Sequence, residues 1–191
     1  MNDLTPEQLA VRTRGRRVLL LIFAMFFGSM ALAGALRFSG WMPQISRNHG
    51  QLFDPPVDWR QANLQRADGT RYEWEPAARH WRIVLAPVAG CAQECVTLSQ
   101  QLDTVWRLFG HNADHVEILW LGTPPAQVDA MPALHVLRAD AAVRAQLPNV
   151  DDPAGTPVYV VDPHGFVVLR YAPGFDPGGL RTDVARLLKL K

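Results

Sequence analysis

The sequence predicts an α/β domain with a mixed β-sheet flanked by helices, preceded by one N-terminal transmembrane helix. Three observations predict this fold class. Short apolar runs typical of strands alternate with a segment of helical period in the second half of the chain. Two later apolar runs flank a Pro-His-Gly turn, which is typical of an antiparallel hairpin. An uncharged apolar run near the N-terminus has nearly the length that spans a bilayer.

The N-terminal apolar run extends from Val18 to Leu36 without a charge or a proline. It is close to the ~20 residues of a membrane span and longer than the ~7–15 residues of a signal-peptide core. A signal cleaved near Ala31-Leu32-Ala33 is the alternative. Because arginines cluster before the run and are sparse after it, the positive-inside rule places residues 1–17 in the cytoplasm. We therefore expect a single-pass protein of the inner membrane, with its domain in the periplasm.

The rest of the chain is expected to form a linker over residues 37–58 and one domain over residues 59–191. The formal net charge is +1 and no basic run marks the domain, so we expect no nucleic-acid partner. The chain contains two cysteines. In an oxidising compartment such a pair forms a structural disulfide, a redox couple or a metal clamp.

The domain begins with a strand, a helix and a second strand. The Asp68-Gly69 pair predicts a hairpin before them. The apolar run from Trp81 to Ala86 predicts a buried strand, and the helical period after it predicts a helix that ends near Gly110. Val116 to Leu121 is the second strand. Because a helix connects the two strands, we expect them to be parallel.

The remaining elements are shorter and end in a hairpin and a helix. The patterns predict a short strand over residues 134–137, a helix capped by Asp140 that extends to 147, antiparallel strands over 157–162 and 166–171, and a final helix over 177–190.

Cys91 and Cys95 follow the first buried strand, at the start of the helix. A helix N-terminus favours a thiolate, although Glu94 between the cysteines opposes it. In thiol–disulfide exchange, Cys91 would attack and Cys95, one turn inside, would resolve the mixed disulfide. Two thiolates also make a soft site suited to Cu(I). A merely structural disulfide, closing a very short loop, is the third interpretation.

The order of these features resembles the thioredoxin fold. The resemblance lies in a dithiol after the first core strand, a Gly-Thr-Pro before the third, and a closing hairpin and helix. It implies that Pro157, which follows Thr156, is the cis proline of that fold and lies beside the cysteines. Pro157 would then shape the catalytic site together with Cys91 and Cys95.

Within that fold, the chain resembles the Sco/SenC family. The N-terminal anchor, the Cys-x-x-x-Cys spacing and the hairpin sequence from Tyr159 to Gly165 carry the resemblance. The family consists of membrane-anchored, copper-handling proteins that help to assemble the CuA centre of cytochrome c oxidase. The resemblance implies that Cys91 and Cys95 relay thiols or Cu(I) to a protein dithiol partner, such as cytochrome c oxidase subunit II.

Two positions depart from the family pattern. Val96 stands where the family has proline, and Ala154 stands where the family has the histidine that is its third copper ligand. His135 and His49 are the candidate replacements for that ligand. Two other functions therefore stay open. One is a general thiol–disulfide oxidoreductase without copper, resembling anchored TlpA-like proteins, and the other is a non-catalytic assembly scaffold.

Overall fold

The protein is described here by a computed structural model that covers residues 6–39, 48–88, 90–138 and 140–189. Its contacts divide the chain into two units, Met1–Ile45 and Ser46–Lys191. Residues 1–5 of the predicted cytoplasmic tail and residues 40–47 of the predicted linker lie outside the described residues.

The first unit contains one long helix, α1 (Pro6–Phe38). Its segment Gly15–Phe38 has 24 residues and contains an 18-residue window with a mean hydropathy of 2.3 and no buried residue. The helix has no distinct polar and apolar faces, unlike a helix that packs one apolar face on a protein core. The predicted N-terminal apolar helix is therefore present. Its length and composition suit a membrane anchor and a signal sequence alike.

The second unit has the predicted mixed sheet. Its six strands lie in the order β1-β6-β5-β2-β3-β4. These strands are β1 (Gln51–Asp58), β2 (Trp81–Leu85), β3 (Val116–Leu121), β4 (Leu134–Leu137), β5 (Val158–Val161) and β6 (Phe166–Tyr171). The helices of this unit are α2 (Gln93–Arg107), α3 (Ala141–Arg144) and α4 (Pro177–Leu187), with 3₁₀ turns at Pro76–Ala78 and Gly110–His115.

The strand directions agree with those predicted from the sequence. β3 runs parallel to β2 and to β4, as expected of strands joined by a crossover. β5 runs antiparallel to β2 and to β6. Val158, the first residue of β5, pairs with Leu85, the last residue of β2. The loop that enters β5 therefore reaches the same edge of the sheet as the loop that leaves β2.

Residues 51–58 correct the end of the predicted linker, because they form the edge strand β1. Gln51 pairs with Arg170 and Asp58 pairs with Phe166 in β6. The register shifts between these pairs, around Pro55 and Pro56, and the Asp54–Pro55 bond is cis. Prolines cannot donate to a ladder, so they suit an edge strand with a bulge. Because prolines are also typical of linkers, the sequence pattern predicted a linker at these residues.

Two core layers cover the two faces of the sheet. Ile83 and Leu85 of β2 face one layer and Val84 faces the other, as the alternation along a strand requires. The first layer is covered by apolar side chains of α2 and α4, and the second by the segment before β2 and by α3. This packing fixes α2 across the sheet, with its first turn at the carboxyl end of β2.

Asp140 caps α3, as predicted. Its carboxylate accepts hydrogen bonds from the N–H groups of Ala142 at 2.8 Å and Val143 at 3.3 Å. The helix is shorter than predicted and ends at Arg144. Pro148 follows closely, and the residue before a proline disfavours helical backbone angles.

Candidate functional site

Cys91 and Cys95 form a disulfide at the N-terminus of α2. Their Cα atoms are 5.8 Å apart, within the usual range for a disulfide. Cys91 directly precedes Ala92, the N-cap of the helix, and Cys95 is the third helical residue. Cys91 is partly exposed, whereas Cys95 is fully buried in the core layer beneath α2. Of the two cysteines, Cys91 is therefore the one that another molecule can reach from the surface.

A tight turn after β2 places Cys91 at this position. The Cys91 N–H donates to the Val88 carbonyl at 3.2 Å. Gly90, inside the turn, has φ of +81°, in the left-handed region that glycine adopts without strain. The N-cap residue of α2 is Ala92, whose side chain makes no hydrogen bond to the first N–H groups of the helix. These groups favour negative charge nearby.

Thr156, which leads into β5 together with Pro157, lies beside the disulfide. The Thr156 Oγ1 is 4.0 Å from the Cys91 Sγ, and both Thr156 and Pro157 are buried. The thioredoxin resemblance implied a cis bond before Pro157. Among the residues that the structure describes, only the Asp54–Pro55 bond is cis, so the Thr156–Pro157 bond is trans. Thr156, the residue before Pro157, contacts Cys91, whereas the isomer differs from the one that the resemblance implied.

Glu94 joins this loop to α2. Its Oε1 accepts a hydrogen bond from the Thr156 N–H at 2.8 Å. Gly155, with φ of +135°, packs against the same carboxylate, since an added Cβ would lie 2.5 Å from that oxygen. The sequence indicated only an unfavourable charge near the thiolate. The hydrogen bond of Glu94 to Thr156 forms because β5 lies beside β2. No local sequence pattern predicts which strand pairs with β2.

An open cavity of about 520 Å³ lies on the exposed side of the disulfide. Its walls come from the turn after β2, the end of β3 and the start of α3. They include Pro87, Val88, Cys91, Cys95, Trp120, Leu121, Asp140 and Arg144. The cavity gives a partner molecule a route to Cys91 from the surface.

The structure does not bring His135 to the cysteines. His135 lies near the amino end of β4, and its Nε2 is 3.7 Å from the Glu117 Oε1. Glu117 lies near the amino end of β3, whereas the cysteines follow the carboxyl end of β2. Because these strands are parallel, the two groups lie toward opposite edges of the sheet. Copper ligation by His135 stays a prediction, and no described contact supports it.

His49 also has a partner elsewhere. Its Nδ1 is 3.1 Å from the Asp183 Oδ1, on α4. Within residues 6–39, 48–88, 90–138 and 140–189, no three His, Cys, Asp or Glu side chains are grouped so that they could hold a metal ion. The reduced cysteines would supply two soft sulfur donors, and these suit Cu(I).

The fold and the site together define a class of protein. It is a thioredoxin-like protein with a close cysteine pair at the N-terminus of the helix that follows the first parallel strand. Residues 81–191 match the family described as "transmembrane-like, thioredoxin-like, C-terminal domain". Because the match covers more than half of the chain, the chain belongs to this family.

Solved structures share the fold at low sequence identity. Yeast Sco1 with copper bound has a TM-score of 0.53 at 15% identity, over 79% of this chain and 96% of that chain. Trgpx in its apo form has a TM-score of 0.51 at 11% identity, over 69% and 95%. Peroxiredoxin Q from Xanthomonas campestris has a TM-score of 0.46 at 16% identity, over 73% and 95%. At these identities the likeness to yeast Sco1 and Trgpx, whose TM-scores exceed 0.5, establishes the fold alone.

No curated protein matches this chain in sequence.

Proposed function

We propose that the protein is a membrane-anchored thiol–disulfide relay, in which Cys91 and Cys95 exchange electrons with a partner protein on the periplasmic side of the inner membrane. The unequal exposure of the two cysteines carries this proposal. Cys91 is partly exposed beside an open cavity, and Cys95 is buried behind it. Thiol–disulfide exchange needs this arrangement, because one sulfur meets the partner and a second then resolves the mixed disulfide.

The exchange proceeds in two balanced steps. The Cys91 thiolate attacks one sulfur of a partner disulfide, and the partner's other sulfur leaves as a thiolate that takes up a proton. The Cys95 thiol loses a proton and attacks the Cys91 sulfur, which re-forms the Cys91–Cys95 disulfide and releases the partner's second thiolate. Two electrons pass to the partner, and a further dithiol must reduce this protein again. The reverse steps oxidise a partner dithiol, and the relative reduction potentials set the direction.

Trapping of a mixed disulfide tests the attacking role of Cys91. In the reduced full-length protein in detergent, Cys95→Ser should accumulate a glutathione adduct on Cys91 after addition of glutathione disulfide. The matched variant Cys91→Ser should form its adduct roughly tenfold more slowly or less, because Cys95 is buried and reactivity follows access. Intact-mass measurement at successive times gives both rates. Equal rates in the two variants would contradict the assigned roles.

The second candidate function is a Cu(I) relay of Sco type in cytochrome c oxidase assembly, with oxidase subunit II as the dithiol partner. Two observations favour it. The reduced pair supplies two adjacent soft sulfur donors, one of them on the partly exposed Cys91, and yeast Sco1, whose structure holds copper, shares the fold. The described residues contain no group of three His, Cys, Asp or Glu side chains that could hold a metal, so the two thiolates would hold the ion alone until a partner adds a ligand.

Copper titration separates this candidate from a reductase that works without copper. The reduced full-length protein in detergent is titrated with Cu(I) against a competing chelator. A copper relay predicts stoichiometric binding that Cys91→Ser and Cys95→Ser each abolish, because two thiolates hold the ion. Binding no greater than that of the two variants would exclude the copper relay and leave thiol exchange as the function.

A further inference from the structure

Glu94 lies between the two cysteines, yet its carboxylate is held by the loop that enters β5. Its Oε1 accepts the Thr156 N–H at 2.8 Å. Gly155 approaches the same carboxylate so closely that a side chain there would collide with it. These two contacts fix the position of the loop relative to the first turn of α2.

The fixed loop presents the Thr156 hydroxyl group to the sulfur of Cys91, the more exposed of the two cysteines. The Thr156 Oγ1 lies 4.0 Å from the Cys91 Sγ. Thr156 is only 4% exposed, so water competes little for its hydroxyl. A hydroxyl donates a much stronger hydrogen bond to a thiolate than to a neutral sulfur. The contact therefore gains strength when the disulfide is reduced and Cys91 ionises.

We propose that Glu94 is a positioning residue, which holds the Thr156 backbone so that the Thr156 hydroxyl donates to the Cys91 thiolate. This inference rests on the proposed function and deepens it. It names the groups that make Cys91 the attacking thiol, in addition to its exposure. The spacing of four between the cysteines provides the position that Glu94 occupies.

Glu94 has two opposite effects on Cys91, and two substitutions separate them. Its charge repels a nearby thiolate, whereas its hydrogen bond to Thr156 supports the thiolate through the hydroxyl. Glu94→Gln removes the charge and keeps an oxygen that can accept the Thr156 N–H. Glu94→Ala removes both. If repulsion were the only effect, the two variants would stabilise the thiolate equally.

The test measures alkylation of Cys91 by iodoacetamide as a function of pH. The full-length protein is used reduced, in detergent, with Cys95→Ser as the background so that one thiol reacts. Below the midpoint of the profile, Glu94→Ala and Thr156→Val should react about tenfold more slowly than the background protein, as expected for the loss of a hydrogen bond to a charged group. Glu94→Gln should react at least as fast as the background protein. Thr156→Ser keeps a hydroxyl group and should react at the background rate, unlike Thr156→Val.

Gln100→Ala, on the exposed side of α2, is the matched control and should leave the profile unchanged. Equal acceleration in Glu94→Ala and Glu94→Gln would overturn the positioning role and leave repulsion alone. Unchanged profiles in Glu94→Ala and Thr156→Val would overturn the hydrogen bond to Cys91. Failure of the proposed function is a separate result: the wild-type disulfide then does not exchange with glutathione, whatever these profiles show.

Discussion

Cys91 and Cys95 share one disulfide, but they occupy different environments. Both line the cavity, but Cys91 precedes α2 and is partly exposed, whereas Cys95 faces the core from the first turn and is buried. Cysteines four residues apart are separated by about one helical turn, so one can end outside the helix while the other is buried. The asymmetry that the proposed exchange requires therefore follows from the spacing of the pair.

Asp183 is a second residue whose surroundings define its role. It is buried on α4 and accepts hydrogen bonds from the His49 N–H at 2.7 Å, the Gly50 N–H at 3.1 Å and the Tyr171 hydroxyl at 2.8 Å. Burial alone would raise the pKa of Asp183. The hydrogen bonds from His49, Tyr171 and Gly50 outweigh burial and hold the pKa below its ordinary value. Asp183 thus attaches the chain segment before β1 to α4.

We predict that Asp183→Asn lowers the free energy of unfolding by about 2–4 kcal/mol at neutral pH. Because the pKa is lower in the folded state, the carboxylate stabilises the protein above its unfolded pKa. This stabilisation is lost as the pH falls through the folded pKa. The difference between wild type and variant should therefore shrink toward acidic pH. Thermal unfolding followed by circular dichroism, in detergent and at stepwise lower pH, measures it.

Asp129→Asn is the control, because Asp129 is exposed and should have little effect at any pH. A difference between wild type and Asp183→Asn that stays constant down to strongly acidic pH would show that the charge of Asp183 does not contribute.

At the scale of elements, the site depends on how the strands pair. β2 delivers the cysteines at its carboxyl end, and β5 runs antiparallel beside it. The loop before β5 therefore meets the first turn of α2, where Thr156 contacts Cys91. Neither loop alone contains the site. It exists only where these two loops meet at one edge of the sheet.

The sequence predicts these elements unequally, for physical reasons. β2, β3, β5 and β6 are buried runs of β-branched and other apolar residues, and such runs are visible in any window of the sequence. β1 contains Pro55 and Pro56, which are typical of linkers and fit only because the strand is at an edge. The position of the cysteines was predictable from the change of period. The hydrogen bond between Glu94 and Thr156 was not predictable. The two residues are 62 positions apart in sequence, and only the pairing of β5 with β2 brings them together.

A buried polar cluster connects the amino ends of β2 and β3. The guanidinium of Arg82 is buried; its Nε donates to the Glu117 Oε2 at 3.0 Å, and another nitrogen donates to the Trp74 carbonyl. The Tyr72 hydroxyl donates to the same Glu117 oxygen. Burial alone would raise the pKa of Glu117, but the bonds from Tyr72 and Arg82 outweigh it and lower the pKa. The cluster fixes β2 against β3 at the edge opposite the cysteines.

We predict that Glu117→Gln destabilises the protein by about 3 kcal/mol, because it leaves the buried Arg82 without its counter-charge. The matched control is Glu73→Gln. Glu73 lies 3.8 Å from Arg71 in an exposed ion pair, and such pairs contribute about 1 kcal/mol or less. Thermal unfolding of both variants in detergent measures the two effects. Equal destabilisation by Glu117→Gln and Glu73→Gln would contradict the structural role of the buried cluster.

At the scale of the whole molecule, the chain combines an apolar N-terminal helix with a thioredoxin-like domain of the family identified above. The domain carries its cysteine pair at the N-terminus of α2, beside an open cavity. The same architecture is compatible with a disulfide that only stabilises the loop after β2. The relay and the structural disulfide differ in one measurable property, which is the readiness of the disulfide to be reduced.

Redox equilibration of the full-length protein with glutathione tests the relay most directly. The protein in detergent is incubated in buffers of graded ratios of reduced to oxidised glutathione, and alkylation followed by intact mass gives the fraction of reduced Cys91 and Cys95. The relay predicts reversible titration, reached from both directions, with a midpoint in the range of roughly −180 to −300 mV that glutathione buffers cover. A disulfide that stays oxidised in the most reducing buffer while the protein remains folded would contradict the relay and identify a structural disulfide.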